Sequence, residues 1–334
     1  MMKLSVAMCT YNGARYLQEQ LASLAAQTRP PDELVVCDDC STDETRAILE
    51  EFRARAAFPV RLYFNEQNLR VVRNFAKAIS LCGGDIIALC DQDDVWLPEK
   101  LSRFEAEFAR APEIGLVFSD LEVVDEDLRP LGFRAWQSFW VDFGEREQRL
   151  FAQGRAFDVL LTRNMVTGAA MAFRATYKDL VLPIPEIEQY LLHDYWIAMV
   201  IASVAKLSYL DTPLVKYRTH GGQAVGLVCP DHVEPGLGSR KFWVPNHRIE
   251  LLLERFSEKD EPRYRAAIAS LKARIRHRQV CDQLPDHKLA RRVFKVFGEL
   301  LAGRYHLCTQ PESNGWRDAM NDLMPYKLRP DLER

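Results

Sequence analysis

The sequence lacks an uninterrupted apolar run long enough to span a bilayer, and its longest candidate, Trp196 to Leu207, fits a buried helix better. It lacks a leader-like start as well. Met1-Met2-Lys3 runs into Leu4-Ser5-Val6-Ala7-Met8, too short for a signal h-region, before polar Thr10, Tyr11 and Asn12. A cytoplasmic enzyme is the expectation. Strong net charge is missing too: −3 over 334 residues gives no global pull toward nucleic acid or anionic lipid. Cys37 and Cys40 form a CxxC with no second pair and no nearby His, and two aspartates lie between them, which argues against zinc and thioredoxin-type chemistry. The eight cysteines read as reduced thiols. No GxGxxG follows the first strand, and no GxxxxGK[ST] occurs anywhere. Phosphate must therefore be held without those glycine loops, and a metal gripped by carboxylates is the obvious alternative. Nor is there an internal repeat.

What is present is an alternation of short apolar strands and helical spacing. Strands are predicted at Leu4–Cys9, Glu33–Cys37, Val60–Phe64 and Ile86–Cys90, with helices over Tyr16–Ala26, from a Ser41 cap to Arg55, and over Val72–Cys82. This βαβαβαβ order implies a parallel sheet flanked by helices, whose ligands bind beyond the carboxyl ends of the strands. Three polar segments fall at that edge: Thr10-Tyr11-Asn12-Gly13, Asp38-Asp39-Cys40-Ser41 and Asp91-Gln92-Asp93-Asp94. Further on, residues 134–155 are irregular and aromatic-rich (Trp136, Phe139, Trp140, Phe143) and read as a flap. A strong helix is predicted from Asp194 to Ala205. From about Arg240 the texture becomes helical and charged, with Lys and Arg outnumbering Asp and Glu. The expected division is 1–235 for the α/β domain and 236–334 for a helical extension.

Each candidate residue has a functional and a bland reading. Asp91 and Asp93, two apart in extended backbone, can face one Mg2+ or Mn2+ ion, or merely form an acidic turn before Pro98. Asp38 or Asp39 can accept from a pyrimidine N3–H, or cap the local turn. Tyr11 can pack on a nucleobase, or cover the core edge. Asp194 can take a proton from an attacking hydroxyl, or act as a helix cap. His220 can ligate the metal or meet the diphosphate, or be solvated. Arg218 can bind phosphate or pair with an acid. In the C-terminal part, Arg274, Arg276, Arg278, Arg291, Arg292 and Lys295 alternate with apolar residues such as Leu289, Val293, Phe294 and Phe297. The choice there is between an interfacial helix and an apolar stripe packed on the core, and packing on the core is the favoured expectation.

The sequence resembles glycosyltransferase family 2, the inverting transferases of GT-A fold. The resemblance covers residues 3–225 and rests on the order and spacing of Ser5–Gly13, Gln27-Thr28, Glu33–Asp43 and Asp91–Pro98. Asn65, Asn68, Asn74 and Phe75 resemble the family's next segment. The fold implied is a GT-A (Rossmann-like) mixed sheet flanked by helices, with the C-terminal helical extension beyond it.

The resemblance also implies roles. Asp39, with Asp38 beside it, would contact the nucleobase; the Cys9 backbone, the Tyr11 ring and Gln92 would border the nucleotide. Asp93, supported by Asp91, would be the principal metal ligand, and Asp194 in Leu192-His193-Asp194-Tyr195-Trp196 the general base. Gly168, Ala169 and Trp96 would line the sugar and acceptor site. Cys40 departs from the family's usual Gly or Asn, and Gln92 from an acid.

Asp-Gln-Asp-Asp-Val-Trp together with Tyr-Arg-Thr-His-Gly-Gly resembles bacterial rhamnosyltransferase-type members. The expected reaction is transfer from a nucleotide-diphosphate sugar, with dTDP-L-rhamnose the narrower candidate, to a saccharide or lipid-linked saccharide in cell-surface polysaccharide synthesis. Peripheral contact with the inner face of the plasma membrane through the C-terminal segment accompanies that reading. The alternatives are a sugar-1-phosphate nucleotidyltransferase, whose glycine-rich basic loop is missing, and a non-catalytic nucleotide-sugar-binding protein.

Overall fold

The computed structural model describes residues 2–138, 141, 143–186, 193–223, 227, 246–257, 261–284, 289–308 and 315–324. Two compact units emerge: Met1–Ala156 with Asn164–Leu237, and Phe157–Arg163 with Gly238–Arg334. Residues 157–163, expected in the first domain, thus belong with the C-terminal helices. There Ser270 Oγ and Arg274 hydrogen-bond to Asp158.

The first unit is a GT-A-like α/β fold. Strands β1 (Leu4–Thr10), β2 (Glu33–Asp38), β3 (Val60–Phe64) and β4 (Ile86–Cys90) pair in parallel in the order β3-β2-β1-β4. Helices α1 (Ala14–Ala25), α2 (Thr45–Arg55) and α3 (Arg70–Leu81) form their crossovers. β1 and β4 are buried along nearly their whole length, so they read as continuous apolar runs rather than alternating ones.

Beyond β4 the sheet becomes mixed. β5 (Val95–Trp96), α4 (Lys100–Arg110), β6 (Ile114–Val124), β7 (Pro130–Arg134), α5 (Glu145–Ala152), α6 (Ala156–Leu160), β8 (Met171–Arg174), α7 (Lys178–Val181), α8 (His193–Ala202) and β9 (Lys206–Arg218) follow in the chain. β8 runs antiparallel to both β4 and β6, and β9 runs parallel to β6. The two short strands expected at 207–217 are one continuous strand. Its far end meets β5 antiparallel, Val95 opposite Lys216 and Trp96 opposite Val215. That short pairing matters most for function, because it draws the residues after β9 onto the segment after β4.

Two local expectations are corrected. Ser41 does not cap α2. The helix starts at Thr45 without a side-chain cap, and the Ser41 hydroxyl goes to Asp38 instead. The described part of 134–155 is not a flap. Trp136, Phe143 and Phe151 are buried and meet Phe118 and Tyr209 edge-on, with ring centroids 5.1–6.5 Å apart. Rings of that size gain more by packing on one another over β6 and β9 than by facing water. Phe139 and Trp140 lie outside the described residues.

The second unit is helical: α9 (Asn246–Ser257), α10 (Arg265–Gln283), α11 (Leu289–Leu301), α12 (Arg304–Cys308) and α13 (Gly315–Leu323). Leu284, Val296, Tyr305 and Ala319 share a small core. No helix among the described residues is long and apolar enough to cross a membrane.

Candidate active site

At the carboxyl edge the loops after β1 and β2 are laced together. The Asn12 amide donates to Ser41 Oγ at 2.9 Å, Gly13 to Thr45 Oγ1 at 2.8 Å and Ala14 to Asp43 Oδ2 at 3.0 Å. Asp38 Oδ1 accepts from Thr10 Oγ1 and Ser41 Oγ, and Oδ2 accepts from the Ser41 amide. That is the turn-capping role. Asp39 reaches the other way: it accepts from Asn65 Nδ2 (2.8 Å) and from the amides of Leu69 (2.7 Å) and Arg70 (2.8 Å), so it organises the loop before α3. Cys40 has φ +65°, a left-handed conformation, which explains why Gly or Asn suits this position. Cys37 and Cys40 are free thiols, and burial pushes Cys37 up to about 11.

The segment after β4 is tied to the same edge. Gln92 Oε1 accepts from the Tyr11 amide at 2.8 Å, and its Nε2 donates to the Tyr11 carbonyl at 3.0 Å. A Cβ at Gly13 would fall 2.2 Å from Gln92 Oε1, so this clamp requires glycine there. Gln92, expected beside the nucleotide, is thus engaged by backbone, while the Tyr11 ring stays exposed. Cys9 pairs with Cys37 at the strand end, its thiol raised by burial.

Four carboxylates gather here. Burial, with Asp93 and Asp194 nearby, raises Asp91 to about 7. Asp94 is pushed well up by burial and by Asp93 and Asp91, although it accepts from the Arg218 amide at 3.0 Å. Burial raises Asp194 to about 6. The phenol of Tyr217 lies amid all four and is raised by burial and by their charge.

Asp194, in the first turn of α8, accepts from the Gly168 amide at 2.9 Å and from the Tyr195 amide at 2.6 Å. The small residues at 168–169 have a steric reason. A Cβ on Gly168 would sit 3.0 Å from His193 Nε2 and 3.5 Å from the Asp194 Cβ. Ala169 gives its carbonyl to the Lys100 ammonium.

The residues after β9 complete the edge. His220 Nδ1 accepts from the Gly222 amide at 3.2 Å, which leaves the proton on Nε2 to donate to Asp93 Oδ2 at 2.9 Å. Arg218 is buried. Its Nε donates to the Asp93 carbonyl at 2.8 Å, and its other nitrogens reach the Glu126 carbonyl and Glu19. Of the two expectations for Arg218, pairing with an acid is the one realised. Trp96 is corrected as a lining residue. It is buried, and its ring lies 3.2 Å beneath the Lys100 ammonium, because the β5–β9 pairing turns it into the core.

Three residues were not foreseen. Lys100 is fully buried, and burial brings it down to about 7, against the nearby Cys90, Asp94 and Asp91. Asp94, the motif's fourth residue, was quoted without a role. His193 is buried and stacks on Phe75 at 3.8 Å. Among the described residues neither of its ring nitrogens has a hydrogen-bond partner, and burial lowers it to about 3, so it stays neutral. No signal marked Lys100 or His193. Position after Pro-Glu reads as solvated, and adjacency to Asp194 is not evidence of burial.

The donor set suits a divalent cation. Asp91 meets no protein donor among the described residues, and like charges crowd it. Among those residues no group of three or more His, Cys, Asp or Glu forms a protein cage. Two carboxylates completed by substrate phosphates is the arrangement magnesium and manganese commonly accept.

Residues 5–180 match the model of glycosyl transferase family 2. The chain belongs to this family. It is 28% identical over 223 residues to an uncharacterized glycosyltransferase, alr2836, of Nostoc sp., covering 66% of each chain. It is 31% identical over 129 residues to the putative teichuronic acid biosynthesis glycosyltransferase TuaG of Bacillus subtilis, covering 38% of this chain and 50% of TuaG. The matched stretch thus spans just under two thirds of the first relative and half of the second. Among solved structures, S. aureus TarS 1-349 in complex with UDP-GlcNAc superposes with a TM-score of 0.56 at 20% identity, over 96% of this chain and 80% of that one. This is a likeness of fold. Together with the mixed sheet and the C-terminal helices it agrees with the GT-A architecture implied by the sequence resemblance.

Proposed function

We propose that this family 2 member transfers a sugar, with inversion, from a nucleotide-diphosphate donor to a saccharide or lipid-linked saccharide acceptor in cell-surface polysaccharide synthesis. The observation that carries this is Asp194: a carboxylate held by the Gly168 and Tyr195 amides, raised to about 6, beside Asp91 and its acidic neighbours. A base poised near neutrality can take the proton of a sugar hydroxyl and still be ionised at pH 7. As that proton moves to Asp194, the hydroxyl oxygen bonds to the anomeric carbon. The bond from that carbon to the diphosphate oxygen breaks on the opposite face, and its electron pair leaves with the diphosphate. One displacement inverts the centre.

Asp91 and Asp93 would hold Mg2+ or Mn2+, with His220 orienting Asp93 through their hydrogen bond. The ion would neutralise charge on the departing diphosphate. Asp39 and the Tyr11 ring would border the base, and Gly168 and Ala169 the transferred sugar. The TarS complex with UDP-GlcNAc supports a nucleotide-sugar donor, and the name of TuaG supports a cell-surface polymer. For dTDP-L-rhamnose the support is the Asp-Gln-Asp-Asp-Val-Trp and Tyr-Arg-Thr-His-Gly-Gly pair in the sequence. Work on the cytoplasmic face, with the protein peripheral to the membrane, fits this reading.

Calorimetric titration of UDP, dTDP and GDP with and without manganese tests it, alongside turnover assays. Asp93→Ala should greatly weaken manganese-dependent nucleotide binding, whereas Asp194→Asn should bind normally and fail to turn over. Equal nucleotide affinity in wild type and Asp93→Ala contradicts the metal role.

A further inference from the structure

Helix α11 buries two charged side chains beside Val296, yet leaves a row of apolar ones outside. Its charged Arg292 and Glu299 face inward at 7% and 4% exposure, while Phe294 and Leu301 stand 80% and 89% exposed, with Phe297 half exposed between them. Three, four and seven residues apart, these apolar side chains form one stripe. The favoured expectation, that Leu289, Val293, Phe294 and Phe297 pack on the core, is overturned for Leu289, Phe294 and Phe297, which are exposed, while Val293 is half-buried. The arrangement is held in place. Glu299 accepts from Arg304 at 2.7 and 2.6 Å and pairs with His277 Nδ1 at 2.9 Å. Arg292 donates to the carbonyls of Leu284 (3.2 Å) and Met324 (3.0 Å). Burying two charges is costly unless such partners exist, so the unit devotes a polar network to keeping the aromatic face outward. In neighbouring α13, Trp316 and Met320 are exposed as well.

We propose that α11 and α13 form an interfacial surface that docks on an anionic lipid bilayer, with Phe294, Phe297, Leu301 and Trp316 entering the acyl boundary. Charge selects this occupant. Arg291, which is exposed, and Lys295, whose ammonium donates to Gln283 Oε1 at 3.2 Å, follow one another one turn apart beside the apolar stripe, where cations can meet lipid phosphate. A second copy of the chain would set those cations against their own kind. A bilayer with negative headgroups complements both the stripe and its rim. The docking deepens the transferase reading, and rests on it, by naming where a lipid-linked acceptor would be met; the binding itself requires no catalysis.

The test is co-sedimentation of the full chain with phosphatidylcholine vesicles, with and without phosphatidylglycerol. The expected result is binding to the anionic vesicles that falls with salt, and little binding to the neutral ones. Replacing Phe294, Phe297 and Leu301 together by Ser should weaken binding by about tenfold or more. Arg291→Glu with Lys295→Glu should weaken it at low salt. An unchanged circular-dichroism melt confirms that each variant folds. Wild type left in the supernatant with anionic vesicles at low salt overturns the proposal. So does undiminished binding by the triple Ser variant, or a dimer in analytical ultracentrifugation that the triple variant dissolves. Donor hydrolysis, measured separately without vesicles, should be unaffected by the triple variant. Its absence in wild type would count against the transferase reading and leave the docking result standing.

Discussion

The acidic edge of the first unit and helix α11 of the second treat charge in opposite ways. At the edge, Asp91, Asp93, Asp94 and Asp194 lie close together; burial favours the protonated form of Asp91, Asp94 and Asp194, and the neighbouring acids add to this at Asp91 and Asp94. In the second unit the buried Glu299 is answered by Arg304 and His277, and its carboxyl is held below the usual range despite burial. The first arrangement is an unfinished site whose repulsion a ligand can relieve. The second is complete in itself, and what it leaves unfinished is the apolar surface on the other side of the helix. Electrostatic strain therefore points toward ligand chemistry, whereas electrostatic satisfaction here supports an orientation.

The largest effect is expected at Asp194. Asp194→Asn should lower kcat about 10²–10⁴-fold with nucleotide affinity unchanged. In wild type, kcat/KM should fall as pH drops through about 6, since a raised carboxylate pKa removes the base on the acid side. A pH-rate profile flat to pH 5 would remove Asp194 from that role.

Next, Glu299→Ala should destabilise the second unit by about 3–5 kcal/mol, because it leaves Arg304 and His277 without their partner. Phe294→Ser, on the same helix, should cost under about 0.5 kcal/mol. Urea unfolding of both variants reads the difference, and the reverse ranking would refute this orientation of the helix.

A smaller effect is expected at Asp91. Asp91→Asn should raise the Tm of the metal-free protein by roughly 2–4 °C while impairing activity. The sign follows from linkage. The native state holds a proton on Asp91 up to about pH 7, the unfolded chain only to about 4, so this group's contribution to stability grows as pH falls through that window and is smallest above it. Scanning calorimetry at pH 5 and pH 8 checks it.

The smallest effect is at Cys40. Relief of its left-handed backbone should make Cys40→Asn more stable by about 0.5–1 kcal/mol, measured by the same urea titration.

Much of the first unit was legible because its signals are local. Apolar runs ended by acids marked the sheet edge and put Asp91 and Asp93 on it, whereas Asp194, on helix α8, was singled out by the family resemblance. The burial of Lys100 was not legible. It depends on the carbonyl of Ala169 and the ring of Trp96, which come together only after β8 and β9 add to the sheet. For the same reason Trp96 looked like a lining residue. The spacing in α11 revealed a stripe but not its direction, since Glu299 finds His277, from α10, 22 residues earlier in the chain. Periodicity can say that two faces differ; long-range partners decide which one is hidden.

The Gln92 clamp on Tyr11 carries one more consequence. By gripping both the amide and the carbonyl of that residue, it links the loop bearing Asp91 and Asp93 to the loop bearing Tyr11. A shift of one loop is passed to the other through this pair of bonds, so under the proposed function cation and nucleotide binding should be coupled, by a factor that is the same in both directions.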